Sequence, residues 1–167
     1  ILSGIVHKRF GYDNVGFHMS SSERLITVDF NGPLTSEEII EVELAANDAI
    51  YKNASVTAYF PSEEELATLD FRSKKELTED LRIIRIGEDI DCCACCAPHV
   101  ATTGEVGLIK IVDFYPYKKG VRIEMLAGKN ALLDYIELNK KIKELIIFPA
   151  LCFALKGKMS KTSMNVM

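Results

Sequence analysis

Residues 91–100 read Asp-Cys-Cys-Ala-Cys-Cys-Ala-Pro-His-Val, and they hold four of the chain's five cysteines and one of its three histidines. Cys95 and His99 are four residues apart, so one thiolate and one imidazole can face a common point, half of a tetrahedral zinc site. The same stretch contains two C-x-x-C pairs, Cys92 with Cys95 and Cys93 with Cys96, the pattern of dithiol exchange or of half a structural zinc cluster. A cluster needs a second set of ligands, and the rest of the chain offers only Cys152, His7 and His18, which argues against it. A third reading is a cysteine-rich turn buried as small hydrophobes.

The flanking elements must position these side chains. A strand over residues 81–86 leads in, and residues 106–112 leave as another strand with Leu108 and Ile109 on opposite faces; residues 117–120 then turn the chain into a further strand over 121–126. At the start, Ile1, Leu2, Ile5, Val6 and Phe10 recur at helical spacing, so the residues to about Arg9 read as a helix stopped near Gly11, with His7 on its polar side. Residues 12–19 and 24–30 read as a hairpin turning through Ser20-Ser21-Ser22-Glu23, with Ile26, Val28 and Phe30 on one face and Thr27 and Asp29 on the other. Thr35-Ser36-Glu37-Glu38 is a capping box opening a helix. That helix has Ile39, Val42, Ala46, Ala49 and Ile50 as its apolar stripe, and Glu37, Glu38, Glu41 and Glu43 mainly on its wet side.

Residues 55–60 alternate like a strand, Ser62 caps a short helix, and residues 71–79 read as polar surface loop. After Gly128 a last helix puts Leu132, Tyr135, Ile136, Asn139, Ile142 and Ile146 on one face until Pro149 ends or bends it, and the tail from Lys156 reads as basic, polar and loose. About six strands, mostly joined by hairpins with helices between the pairs, predict an α+β fold: an antiparallel sheet with packed helices.

With 167 residues, 48% of them hydrophobic, the chain can bury one good core, and one domain over residues 1–148 is expected ahead of a basic tail over 149–167. Cysteines clustered in one loop and odd in number fit a reducing cytoplasm better than a disulfide framework. The formal net charge of -4 excludes broad coating of nucleic acid, which needs a concentrated basic surface. Local capture is compatible with it, although the groups Lys118, Lys119, Arg122 and Lys129, then Lys140, Lys141 and Lys143, then Lys156, Lys158 and Lys161, each read first as a solvated face. No run reaches the roughly 18 apolar residues of a membrane span, so no membrane partner is expected. The apolar opening lacks the basic lead-in and cleavage site of a signal peptide. As the chain does not begin with Met, it is expected to be a fragment or to have lost residues at its start.

Several motifs recur in a family's order. Gly16-Phe17-His18-Met19 precedes a strand ending Val28-Asp29-Phe30; Leu69-Asp70-Phe71-Arg72 follows; then come Cys95 and His99-Val100, Thr103-Gly104-Glu105-Val106-Gly107, and Lys119-Gly120-Val121-Arg122-Ile123 with Ala127-Gly128 beyond. In this the chain resembles the editing domain of alanyl-tRNA synthetases, and more closely the free-standing trans-editing proteins of the alanyl-tRNA deacylase (AlaX) family, over nearly all of residues 1–146. The resemblance implies the fold of the threonyl/alanyl-tRNA synthetase editing domain. It also implies one zinc ion with four protein ligands, an H-x-x-x-H pair on the first helix and the Cys and His of a C-x-x-x-H loop. Cys95 and His99 fall on that second pair. In the family the segment resembling Ile1-Leu2-Ser3-Gly4 directly follows the second histidine, so this chain is expected to start just downstream of half the site and to carry it incomplete. Where the family commonly has glycine-rich residues between Cys and His, this chain has Cys96-Ala97-Pro98; Cys96 is the rival thiol, and Cys95 keeps the spacing.

The function so implied is metal-dependent hydrolysis, in trans, of the ester on alanine tRNA wrongly charged with serine or glycine, with the tRNA acceptor end as partner. By the same resemblance His18, Ser20, Ser21 and Thr27 lie where the amino acid is judged, Thr103 and Gly104 line the substrate, and Lys119 and Arg122 meet terminal phosphates. Two other functions compete: a catalytically impaired module that binds tRNA or zinc, and thiol redox chemistry at Cys92 and Cys95. The preferred amino acid and the oligomeric state are not encoded in these motifs.

Overall fold

The computed structural model describes residues 1–19, 24–73 and 81–162, with side chains as far as residue 145. The chain divides into two compact units, Ile1–Ala131 and Leu132–Met167.

Helix α1 (Leu2–Phe10) stops at Gly11, whose φ of 72° is the left-handed cap that glycine takes without a side-chain penalty; the Gly11 N–H closes onto the His7 carbonyl. Strands β1 (Asn14–Met19) and β2 (Ile26–Phe30) pair antiparallel, the expected hairpin. The capping box of α2 (Ser36–Tyr51) is formed: the Thr35 side chain accepts from Glu38 N at 3.3 Å, and Glu38 Oε2 accepts from Thr35 N at 2.7 Å. β3 (Val56–Tyr59) and α3 (Glu63–Leu66, capped by Ser62) follow, then β4 (Ile83–Ile86), β5 (Asp91–Ala94), a single 3₁₀ turn over Thr103–Val106, β6 (Ile109–Tyr117), β7 (Gly120–Ala127) and α4 (Lys129–Thr162).

The fold is α+β. Four strands form one antiparallel sheet in the order β1-β2-β7-β6, and three form a second in the order β3-β4-β5. α1 and α2 cover the larger sheet, burying Leu2, Val6, Ile39, Val42, Ala46 and Ile50 against Val28, Phe30, Ile111, Val121, Ile123 and Met125. Each Val, Ile or Leu so buried contributes about 1.5–3 kcal/mol of transfer free energy, which outweighs the modest helix preference of α2's β-branched residues. The predicted stripe of α2 is buried throughout. Its Ala49 joins Ile84, Ile86 and Ile90 in a second cluster beneath the smaller sheet.

The structure departs from the sequence reading in five places. Residues 106–108, expected to open a strand, instead end a 3₁₀ turn and lead into β6, which starts at Ile109. Residues 91–94 are strand rather than loop, because β4 offers them a full antiparallel ladder from Ile83↔Ala94 to Ile86↔Asp91. Arg72, expected in a polar loop, forms a parallel bridge with Cys93 and is largely covered. Glu43, expected on the wet side of α2, turns its carboxylate to the Lys110 ammonium at 2.7 Å and the Ile111 N–H at 2.5 Å. Lastly, α4 runs through Pro149 to Thr162, so the helix does not end at Pro149; a proline in a long helix removes one hydrogen bond and leaves the remaining turns to continue on either side.

Candidate functional site

A cavity of about 540 Å³ opens in the first unit, between the start of α1, the inner face of the larger sheet, and the loop that follows β5. Cys95 and His99 both line it, as do Ile1 and, from α1, Leu2 and Ser3. The loop is pinned by Arg82, the residue just ahead of β4. Arg82 Nη1 donates to the carbonyls of Cys95 (3.0 Å) and Ala97 (2.9 Å), and the Cys95 N–H returns to the Arg82 carbonyl at 3.1 Å. His99 Nδ1 lies 2.8 Å from the Ala97 carbonyl. A carbonyl can only accept, so Nδ1 carries a proton, and Nε2 is the ring nitrogen left to face a ligand, the arrangement by which a backbone oxygen orients a ligating histidine.

The donors match zinc in kind, a thiol and an imidazole, but not in number. Among the described residues no group of three or more His, Cys, Asp and Glu is placed to hold a metal ion. Two ligands do not make a tetrahedral site, and this set by itself does not fit a tightly held zinc.

The neighbouring cysteines separate by strand geometry. Side chains alternate along an extended chain, so Cys93 and Cys95 share the cavity side and pack on the second cluster, while Cys92 lines a different, smaller cleft of about 310 Å³. A C-x-x-C redox pair needs both sulfurs together, and Cys92 and Cys95 open onto different hollows. Burial raises the thiol pKa of Cys92 and pushes that of Cys93 up to about 11, away from the thiolate that exchange chemistry requires. Cys96 is exposed and, like the other three, a free thiol.

The other expected site residues are scattered. Thr103 lines the cavity wall but is fully buried, with its hydroxyl donating to Ala49 O at 2.8 Å and accepting from Ala54 N at 2.9 Å. Both bonds tie the 3₁₀ turn to the end of α2. Gly104 is small for a packing reason: a Cβ there would stand 2.4 Å from Asn53 Oδ1. His18 pairs with Thr27 across β1 and β2, and both sit on the sheet face away from the cavity, which is instead lined by their neighbours Phe17, Met19 and Val28. Ser20 and Ser21 lie outside the described residues. Lys119 is exposed in the β6–β7 turn, whereas Arg122 is committed to Asp29, its Nε 2.6 Å from Oδ1 and its Nη2 2.8 Å from Oδ2, with the guanidinium 3.8 Å above the Tyr117 ring.

Sequence reasoning missed three residues at this cavity. Arg72 and Asp91 form a bidentate pair at 2.9 and 2.5 Å, with side chains 16% and 5% exposed, and line both hollows. The Leu69-Asp70-Phe71-Arg72 stretch and the acid before the first cysteine were visible, yet nothing local joins residues 19 apart. The third is Asn14, buried in the cavity wall.

Residues 81–124 match the family model described as the threonyl and alanyl tRNA synthetase second additional domain. That span runs from β4 through the Cys95–His99 loop to β7. The chain is 33% identical over 141 residues to the alanyl-tRNA editing protein AlaX-L of Pyrococcus horikoshii, covering 83% of this chain and 34% of that protein. It is 32% identical over 152 residues to the alanine–tRNA ligase of Neisseria gonorrhoeae (85% and 17%) and 34% identical over 110 residues to that of Petrotoga mobilis (64% and 12%). The chain thus spans about a third of the first relative and under a fifth of the ligases. With the α+β fold of two antiparallel sheets, these matches place the chain in the AlaX-type editing-domain family shared with alanyl-tRNA synthetases.

Proposed function

We propose that this domain edits alanine tRNA, hydrolysing the ester that joins a wrong amino acid, serine or glycine, to the acceptor end. The observation that carries the reading is that a thiol and an imidazole, Cys95 and His99, line one cavity large enough for an aminoacyl group. The relatives named above, an editing protein and two alanine–tRNA ligases, support the same substrate class.

The chain's own residues supply binding and orientation. Arg82 holds the loop, and the Ala97 carbonyl holds the imidazole so that Nε2 is left to face a ligand. Phe17, Met19 and Val28 give the cavity an apolar wall on the sheet side, against which the aminoacyl group can pack. One zinc ion is part of the proposal, with Cys95 Sγ and His99 Nε2 as two of its donors and others from outside the described residues. Such an ion supplies Lewis acidity toward an ester carbonyl.

The test uses the full-length protein. Wild type is expected to contain about one zinc per chain and to release serine from Ser-tRNA(Ala), while Cys95→Ser and His99→Ala lose the metal and slow release at least about a hundredfold. Metal content is read by elemental analysis and release by loss of the labelled amino acid. The two-donor count favours a second reading, a module that binds tRNA without turnover; tRNA(Ala) binding with no release of serine or glycine would establish it and overturn the first.

A further inference from the structure

Strand β1 is an edge of the larger sheet. Its first residue, Asn14, lies opposite Phe30 on the inner face, and strict alternation would turn Phe17 outward, since the two are an odd number of places apart. The register shifts between Asn14 and Gly16, and past this bulge Phe17 and Met19 stand opposite Val28 and Ile26, on the inner face and in the wall of the cavity lined by Cys95 and His99. Bulges beside sites re-aim side chains in this way. Facing inward has not covered the pair: Phe17 is 56% and Met19 65% exposed, while Val28, across the strands from Phe17, is 1% exposed.

Phe17 is the one phenyl ring among the described residues of that lining. A flat ring with a thioether beside it presents polarizable apolar surface to whatever fills the cavity, and suits a flat apolar occupant best. The volume points the same way. A seryl or glycyl group fills a small part of about 540 Å³, whereas the same group together with the nucleoside that bears it is of the size such hollows enclose. The base of that nucleoside is a flat π-face, and stacking it on an aromatic ring asks no hydrogen bond of a mainly aliphatic wall.

We propose that Phe17 is the platform on which the terminal base of the acceptor end stacks, with Met19 beside it, so that the ribose and its ester lie toward Cys95 and His99 in the loop wall. This rests on the editing function proposed above and gives the cavity a hold on the nucleoside that is separate from its hold on the amino acid. Such a hold is paid back whichever amino acid is attached, because the base is common to all of them. It also reads no base edge, so a purine of either kind is accepted and the stacking area alone sets the gain.

The experiment separates the base from the amino acid and measures affinity, independent of turnover. Adenosine bearing a seryl group through a non-hydrolysable 3′-amide, and the same compound with no base on its ribose, are titrated into the full-length protein and followed by backbone amide shifts. Wild type is expected to bind the compound with the base at least about tenfold more tightly. Phe17→Ala and Phe17→Leu are expected to bring that ratio to about one by weakening only the compound that carries the base, and Phe17→Tyr, which keeps a ring, to retain it. A ratio of about one in wild type, or an unchanged ratio in Phe17→Ala and Phe17→Leu, overturns the assignment and leaves the editing function standing. Equal weakening of both compounds shows that the ring serves the fold, which also overturns it, as does a dimer in sedimentation that Phe17→Ala dissociates. Failure of wild type to bind either compound overturns the editing function itself.

Discussion

Within one short run, four thiols have four environments. Cys96 is exposed, Cys95 is half-buried on the cavity, Cys92 lines the smaller cleft, and burial pushes Cys93 up to about 11. Alkylation by a maleimide at pH 7.5, mapped by peptide mass spectrometry, is therefore expected to label Cys96 first and Cys93 last, since the thiolate is the reacting form. Equal labelling of the two would contradict the buried placement of Cys93. The spacing of Cys95 and His99 was legible because both lie in one loop. Asn14, Arg72 and Asp91 were not, because their roles come from a bulge and from pairings across the fold that no local pattern records.

Strands and helices were legible where one face of each is buried. α1 and α2 and the β1–β2 and β6–β7 hairpins follow directly from apolar periodicity, capping and glycine placement. β5 was hidden because Asp-Cys-Cys-Ala has little of the β-branched signature of a strand and borrows its order from β4. Cross-strand register also explains Arg122: it stands directly opposite Asp29, and a Cβ on Gly16, 2.4 Å from Asp29 Oδ2, would crowd the pair. The hydrogen bonds from Arg122 hold the Asp29 carboxyl below the usual carboxylate range. The pair's contribution is then fully present above about pH 4 and is lost as pH falls through the lowered folded-state value. Asp29→Asn is expected to cost about 2 kcal/mol at pH 7 in urea denaturation, with the gap to wild type closing on acidification below about pH 4. A gap as wide at pH 2.5 as at pH 7 would rule out the ion pair as its source.

Considered as a whole molecule, the buried apolar side chains among the described residues all lie in the first unit, up to Ala131. In the second unit Leu132, Tyr135, Ile136, Leu138, Ile142 and Leu145 are exposed.

The Arg72–Asp91 pair stands as a common wall between the two hollows, and Gly4 is where that wall meets α1, since a Cβ there would lie 2.5 Å from Asp91 Cγ. Shortening Arg72 or Asp91 therefore removes lining from both compartments at once, and bulk added at Gly4 presses on the same carboxylate, so three positions far apart in the chain bear on how much room an occupant finds.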